Sequence, residues 1–203
     1  MDKIDFKKTL KHLYLPSFKE VGVVDVPEMT FLMIDGKGDP NTAHEYQDAI
    51  EALYGTAFTL KFMLKKRGGT PDYSVPPLEG LWWAEDMSVF IQEKKDDWFW
   101  TMMIMQPEFV SREMVSEAAE VVRKKKNPPA LSKLRYETYH EGLSVQIMHI
   151  GPYAEEGSTI QKLHQFALDQ GYQLRGKHHE LYISDPRRIA SEKMRTVVRQ
   201  PVA

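Results

Sequence analysis

The chain contains no cysteine. That excludes disulfides, thiolate metal sites and a cysteine nucleophile, and it is compatible with a reducing compartment. Long apolar runs are missing too. The longest, such as Trp98–Met105, fall far short of the roughly 20 residues that cross a bilayer. Charge of one sign is not in excess: 27 Lys and Arg stand against 29 Asp and Glu, a formal net charge of −2. No electrostatic footprint for nucleic acid follows from such a balance. The start, Met1–Lys11, is charged and lacks the apolar core of a secretion signal. No G-x-S-x-G elbow, phosphate loop or dinucleotide fingerprint occurs. His178 and His179 are strand neighbours that diverge, and His149 and His164 lack the i, i+4 spacing of a helical ligand pair. The expectation is a soluble, cytoplasmic protein with no metal, no cofactor, and neither nucleic acid nor membrane as partner. Its oligomeric state is left open.

What is present is enough apolar residue to bury a core: 42% of 203 residues. Residues 1–20 read as a lead-in with a short helix around Phe6–Tyr14, ending at Pro16. Val21–Val26 and Met29–Asp35 read as two strands around Pro27, and Gly36–Asn41 as a turn. Thr42 with Glu45 three residues on fits a capping box. Ile50, Leu53, Ala57, Leu60 and Leu64 then recur at helical spacing. Lys65-Lys66-Arg67 suits a helix C-terminus, and Gly68-Gly69 stops it. Two strands follow, Leu81-Trp82-Trp83 and Trp98–Met105, separated by a charged turn over Glu93–Asp97. Ser111–Lys126 reads as a connecting helix closed by Asn127-Pro128-Pro129.

The same order recurs in the second half. Arg135–Tyr139 and Leu143–Ile150 form a hairpin about His140-Glu141-Gly142. A helix runs from Gly151-Pro152 to about Gln170, with Ile160, Leu163 and Ala167 inward and Gly171 as its stop. The strand Glu180–Ser184 and a last strand over Lys193–Arg199 complete the pattern. The predicted fold class is α+β: a tandem pseudo-two-fold βαββ repeat with an antiparallel sheet and a concave ligand cavity between the halves. Its parts are one domain over 1–203, with halves 21–107 and 131–203 joined by 108–130.

The strand Glu180-Leu181-Tyr182-Ile183-Ser184-Asp185-Pro186 carries the chemistry. With period two, Glu180 and Tyr182 share one face, while Leu181 and Ile183 pack inward. Laid over it, Gly80-Leu81-Trp82-Trp83 matches Trp82 to Tyr182. A carboxylate among aromatics is desolvated, which raises its pKa and suits it to hold a polarised ligand or a water. Glu180 and Tyr182 are therefore the catalytic candidates. Trp82, Trp98, Trp100, Tyr139, Tyr54 and Phe58 are the ligand-binding candidates, as flat surfaces for stacking. The pattern does not decide which face Trp98 and Trp100 share, and at most one of Tyr136 and Tyr139 lines a cavity.

Four segments resemble the GyrI-like family: Asp35-Gly36-Lys37-Gly38-Asp39-Pro40-Asn41, Glu79-Gly80-Leu81-Trp82-Trp83, His149-Ile150-Gly151-Pro152-Tyr153 and His179–Pro186. This fold also serves as the effector domain of BmrR-type multidrug regulators. The resemblance implies paired βαββ units and an aromatic-lined cavity. The chain is similar to stand-alone members, without a helix-turn-helix domain. The cyclopropanoid cyclopropyl hydrolases among them open the cyclopropane of DNA-alkylating antibiotics. The resemblance thus implies capture of hydrophobic or aromatic xenobiotics, with hydrolysis of that ring. The alternatives are sequestration without turnover and, as in GyrI itself, protection of gyrase.

Overall fold

The computed structural model describes residues 3–85 and 94–203. Helices and antiparallel strands are interspersed along it, in two compact units. One holds Met1–Phe6, Met29–Pro76 and Trp82–Tyr139; the other holds Lys7–Glu28, Pro77–Leu81 and His140–Ala203. The strands β1 (Gly22–Lys37), β2 (Leu78–Trp83) and β4 (Arg135–Ile150) each give residues to both. No described helix is long and apolar enough to cross a membrane.

In the first unit, β1 pairs antiparallel with β3 (Phe99–Gln106), in register from Thr30↔Gln106 to Lys37↔Phe99. Phe31–Ile34 and Met102–Met105 are buried without alternation, so these strands are covered on both faces. The long helix α3 (His44–Arg67; α1 and α2 precede it at Phe6–Thr9 and Lys11–Tyr14) packs on β3 and on α4 (Arg112–Lys125). Its buried stripe is Ala49, Ala52, Leu53, Thr56, Ala57, Leu60 and Leu64, at the spacing the sequence shows; Ile50 is only half-buried. Gly68 ends it at φ 73°, its N–H bonded to Leu64 O at 3.0 Å. The capping box does not form. Ala43 is the N-cap, and no side chain caps it. Instead Asp39 organises the entry: its carbonyl accepts from Thr42 and Ala43, and its Oδ1 from Asn41 N–H. Ser111 caps α4 by accepting Met114 N–H at 3.3 Å. Of the turn expected over Glu93–Asp97, Glu93 lies outside the described residues and Lys95–Asp97 form a single tight turn.

Two expected breaks are absent. β1 runs straight through Pro27, because Pro27 and Glu28 are exposed, where a missing strand N–H is tolerated. The hairpin about Glu141 is instead the single strand β4. Gly142 bends it at φ 71°, and Glu141 is buried rather than at a turn tip, for electrostatic reasons given below.

Trp100 fixes the identity of its cross-strand partner, Gly36. A Cβ on Gly36 would lie 2.1 Å from the indole ring, which is fully buried. Gly36→Ala is therefore expected to lose at least about 1–3 kcal/mol of stability in urea unfolding, the usual cost of overpacking a core. Wild-type stability would mean that the ring does not sit over Gly36.

In the second unit, β6 (Arg195–Pro201) pairs antiparallel with β4 on one side and with β5 (His178–Tyr182) on the other. Against them lies α5 (Glu156–Asp169), whose Leu163 and Ala167 join Val145, Ile147, Val198 and Val202 in one buried cluster. Ile160 packs at its margin. Gly171, at φ 81°, follows the helix end as expected.

Candidate functional site

The strand β5 separates two groups of polar side chains by its pleat. His179 and Leu181 are buried, whereas His178, Glu180 and Tyr182 are half-buried on the other face.

On the half-buried face, Tyr182 OH donates to Glu180 Oε2 at 2.8 Å. His178 Nε2 lies 3.4 Å from Glu180 Oε1. Tyr153, in the turn before α5, packs edge-on against Tyr182 with ring centroids 5.7 Å apart. Beside them stands Glu156, the first residue of α5, 4% exposed and close enough to feel the Glu180 charge, its Oε1 buried without a hydrogen-bond partner. Thr196 is the register partner of Tyr182 on β6. Burial, and then the Glu180 charge, push the Glu156 carboxyl up to about 9. Burial and the neighbouring His178 lower His164 on α5.

The buried face holds an ionic network. His179 Nδ1 meets both oxygens of Glu141 at 3.0 and 2.9 Å, and its Nε2 meets Glu79 Oε2 at 3.1 Å. Tyr14 OH donates to Glu79 Oε1 at 2.7 Å. Arg199 donates to Glu141 from Nη1 at 3.0 Å, to Gln146 Oε1 from Nε at 3.0 Å, and to Leu13 O from Nη2 at 2.7 Å. All five side chains of Tyr14, Glu79, Glu141, His179 and Arg199 are at most 1% exposed. Burial alone would raise Glu141, but the His179 and Arg199 charges overrule it and hold the carboxyl at about 2. Burial alone would lower His179, and the Glu141 and Glu79 carboxylates raise it to about 9. Burial and Glu79 raise the Tyr14 phenol well above its ordinary value.

These shifts set a pH profile of stability. The Glu141 contribution is complete above its unfolded value of 4.5 and is lost as pH falls through 2. The His179 contribution is complete below 6.5 and is lost as pH rises through 9. Glu156 binds a proton more tightly when folded, so its contribution is complete below 4.5 and fades up to 9. Melting scans are expected to show a maximum between about 4.5 and 6.5, at its acidic end. Glu156→Gln flattens the slope inside that window and leaves the His179 loss above it. A stability that rises from pH 6.5 to 9 would contradict these assignments.

The aromatic candidates lie in the first unit. Tyr46 on α3 meets Trp100 edge-on at 5.3 Å and Trp82 at 6.1 Å, and Trp82 meets Trp98 edge-on at 5.9 Å. Trp82 and Trp100 are buried, and Trp98 is half-buried. Tyr54 and Phe58 stack on each other along α3 at 5.9 Å, Phe58 continuing onto Phe62; Phe58 is exposed. Tyr139 is half-buried. A cleft of about 370 Å³ in the second unit, beside the start of α5, is lined by Phe18, His149, Glu155, Thr159 and Lys162 among others, and not by Glu180 or Tyr182.

Sequence reasoning missed Glu156, Tyr46 and Tyr153 as members of these groups. A Glu at a helix start reads as a dipole-favoured surface residue, so Glu156 carried no distinguishing signal. Tyr46, in the first turns of α3, and Tyr153, next to a Pro, read as structural aromatics.

The chain belongs to the GyrI-like small molecule binding domain family, whose match runs over residues 19–203. It is similar to an uncharacterized conserved protein from Listeria innocua, at 44% identity and TM-score 0.91 over 99% of this chain and 100% of that one. It is also similar to a hydrolase from Listeria innocua, at 42% identity and TM-score 0.86, again over 99% and 100%. The C-terminal domain of EcmrR shares the fold, at 13% identity and TM-score 0.56, covering 91% of this chain and 97% of that one. No curated protein matches the chain.

Proposed function

We propose that the protein is a hydrolase of strained, electrophilic small molecules of hydrophobic or aromatic character, with Glu180 as its base. The observation that carries this reading is the Tyr182–Glu180 hydrogen bond on an incompletely buried strand face, with Glu156 and His178 beside it. A carboxylate held in that way can accept a proton from a water that attacks. Two Listeria innocua proteins described as hydrolases, at 42% and 43% identity, support turnover.

The substrate class the family resemblance suggests is a cyclopropane fused to a dienone. The water oxygen bonds to the ring methylene, and one ring C–C bond breaks. Its electron pair passes into the dienone, whose carbonyl oxygen becomes a phenolate. The water proton passes to Glu180. Tyr182 holds Glu180 in place, and Tyr153 against it supplies an apolar edge for the ring system. Incubation with a cyclopropane-bearing alkylator should give a product heavier by one water in mass spectrometry. Compound bound and recovered intact would reject hydrolysis and leave capture.

Capture without turnover is the second reading. The half-buried Trp98, set edge-on against Trp82 at 5.9 Å, favours it, because an accessible flat aromatic surface binds planar ligands by stacking.

A further inference from the structure

We propose that the exposed face of α3 joins a second copy of this chain in a two-fold, antiparallel helix pair centred on Phe58. Tyr54 stacks on Phe58 with ring centroids 5.9 Å apart and planes 24° apart, and Phe58 on Phe62 at 6.4 Å and 22°. Three nearly parallel rings thus run along the helix. They stand opposite its buried stripe of Ala49, Leu53, Ala57 and Leu60. Phe58 is 45% and Phe62 57% exposed. A single exposed apolar side chain is ordinary on a protein surface, but a contiguous row of rings marks a contact surface. The cleft beside α5 and the chemistry proposed for Glu180 do not use these rings.

The order of residues along the row selects the occupant. Glu51, Tyr54, Phe58, Phe62 and Lys65 follow one another in steps of three, four, four and three, the same spacing in both directions from Phe58. In an isologous pair, residues equally far before and after the axis meet each other. A two-fold axis at Phe58 therefore sets Phe58 against Phe58 of the second copy, Tyr54 against Phe62, and Glu51 against Lys65. The outer charges are opposite, in two equivalent pairs. Glu51 and Lys65 have ion-pair partners within the chain, Lys126 at 3.7 Å and Asp72 at 3.0 Å, yet their side chains stay 53% and 57% exposed. A carboxylate and an ammonium each bind several partners at once. The rest of α3 agrees: Glu45, Asp48 and Glu51 lie in its first half, and Lys61, Lys65, Lys66 and Arg67 in its second. An antiparallel copy matches acidic end to basic end, whereas a parallel one sets like against like. From Glu51 to Lys65 the helix rises about 21 Å. Two such stretches bury less than the roughly 1,200 Å² at which stable interfaces begin, so the pair is a reversible, micromolar one.

Sedimentation velocity of the full chain over a concentration series reads the association. Wild-type protein should pass from monomer to dimer with a Kd on the order of 10 µM. Phe58→Glu sets two carboxylates against each other on the axis and should stay monomeric throughout, with the circular dichroism of the folded protein. Glu51→Lys turns both equivalent pairs repulsive and should raise Kd about tenfold. Cross-linking then locates the axis. The chain has no cysteine, so Phe58→Cys carries a single thiol. A short bismaleimide should link two copies through it, and should not link them through Leu168→Cys, an equally exposed site on α5. A wild type that remains monomeric up to about 200 µM overturns the proposal. A dimer that survives Phe58→Glu, or a cross-link that forms as readily through Leu168→Cys, overturns it too, because another face then makes the contact.

Discussion

Replacing Glu180 with Gln is expected to cut turnover by about 10²–10⁴ while leaving ligand affinity within severalfold, the usual worth of a general base. The substitution preserves shape. A Gln side-chain oxygen still accepts from Tyr182 OH, which now bonds Glu180 Oε2 at 2.8 Å. What is lost is the ability to take a proton from water. Single-turnover mass spectrometry at saturating protein reads the chemical step without interference from product release. A Glu180→Gln protein that adds water at the wild-type rate would remove Glu180 from the mechanism. Catalysis would then rest on desolvation and stacking alone.

The largest effect on stability is expected from Arg199→Met. Arg199 is fully buried and binds three separate partners: Glu141, Gln146 and the Leu13 carbonyl. Methionine fills much of the same volume but donates nothing. Glu141 then keeps His179 alone as counter-charge in a site that excludes water, and two further acceptors lose a donor. Breaking a buried pair from one side costs about 3–5 kcal/mol, because the remaining charge stays desolvated. Urea unfolding at pH 6 should show that loss, with helical circular dichroism retained below the transition. A change under about 1 kcal/mol would mean that His179 alone compensates Glu141.

That network also shows where the sequence could be read and where it could not. Local rules carried far. Gly68 and Gly171 end their helices, Ser111 begins one, and β5 alternates so that Glu180 and Tyr182 share a face. Each of these depends on residues within a few positions. The ionic network depends on partners 100, 38 and 58 residues apart: Glu79 with His179, Glu141 with His179, and Glu141 with Arg199. Without those partners, His140-Glu141-Gly142 is a polar stretch with a glycine, which is what a turn looks like. Glu156 was hidden for the same reason, since only Glu180, on a different element, gives it meaning. Thr42 and Glu45 matched a capping box in spacing, but Asp39 already accepts from the backbone N–H groups at that entry. Pro27 marked a break only on the assumption that its N–H was needed. In the tryptophan-rich segment, composition did not separate the fully buried Trp100 from the half-buried Trp98, since both can fill a core or line a surface.

In the proposed chemistry Glu180 delivers water to a strained ring. That step is tested most directly by incubating the protein and Glu180→Gln, in water enriched in heavy oxygen, with a cyclopropane-bearing dienone. Wild-type product is expected to gain one water carrying the heavy label on the former ring methylene, and Glu180→Gln to form it about 10²–10⁴ times more slowly. Recovery of intact compound from the wild-type protein, or equal labelling rates in the two proteins, would contradict it.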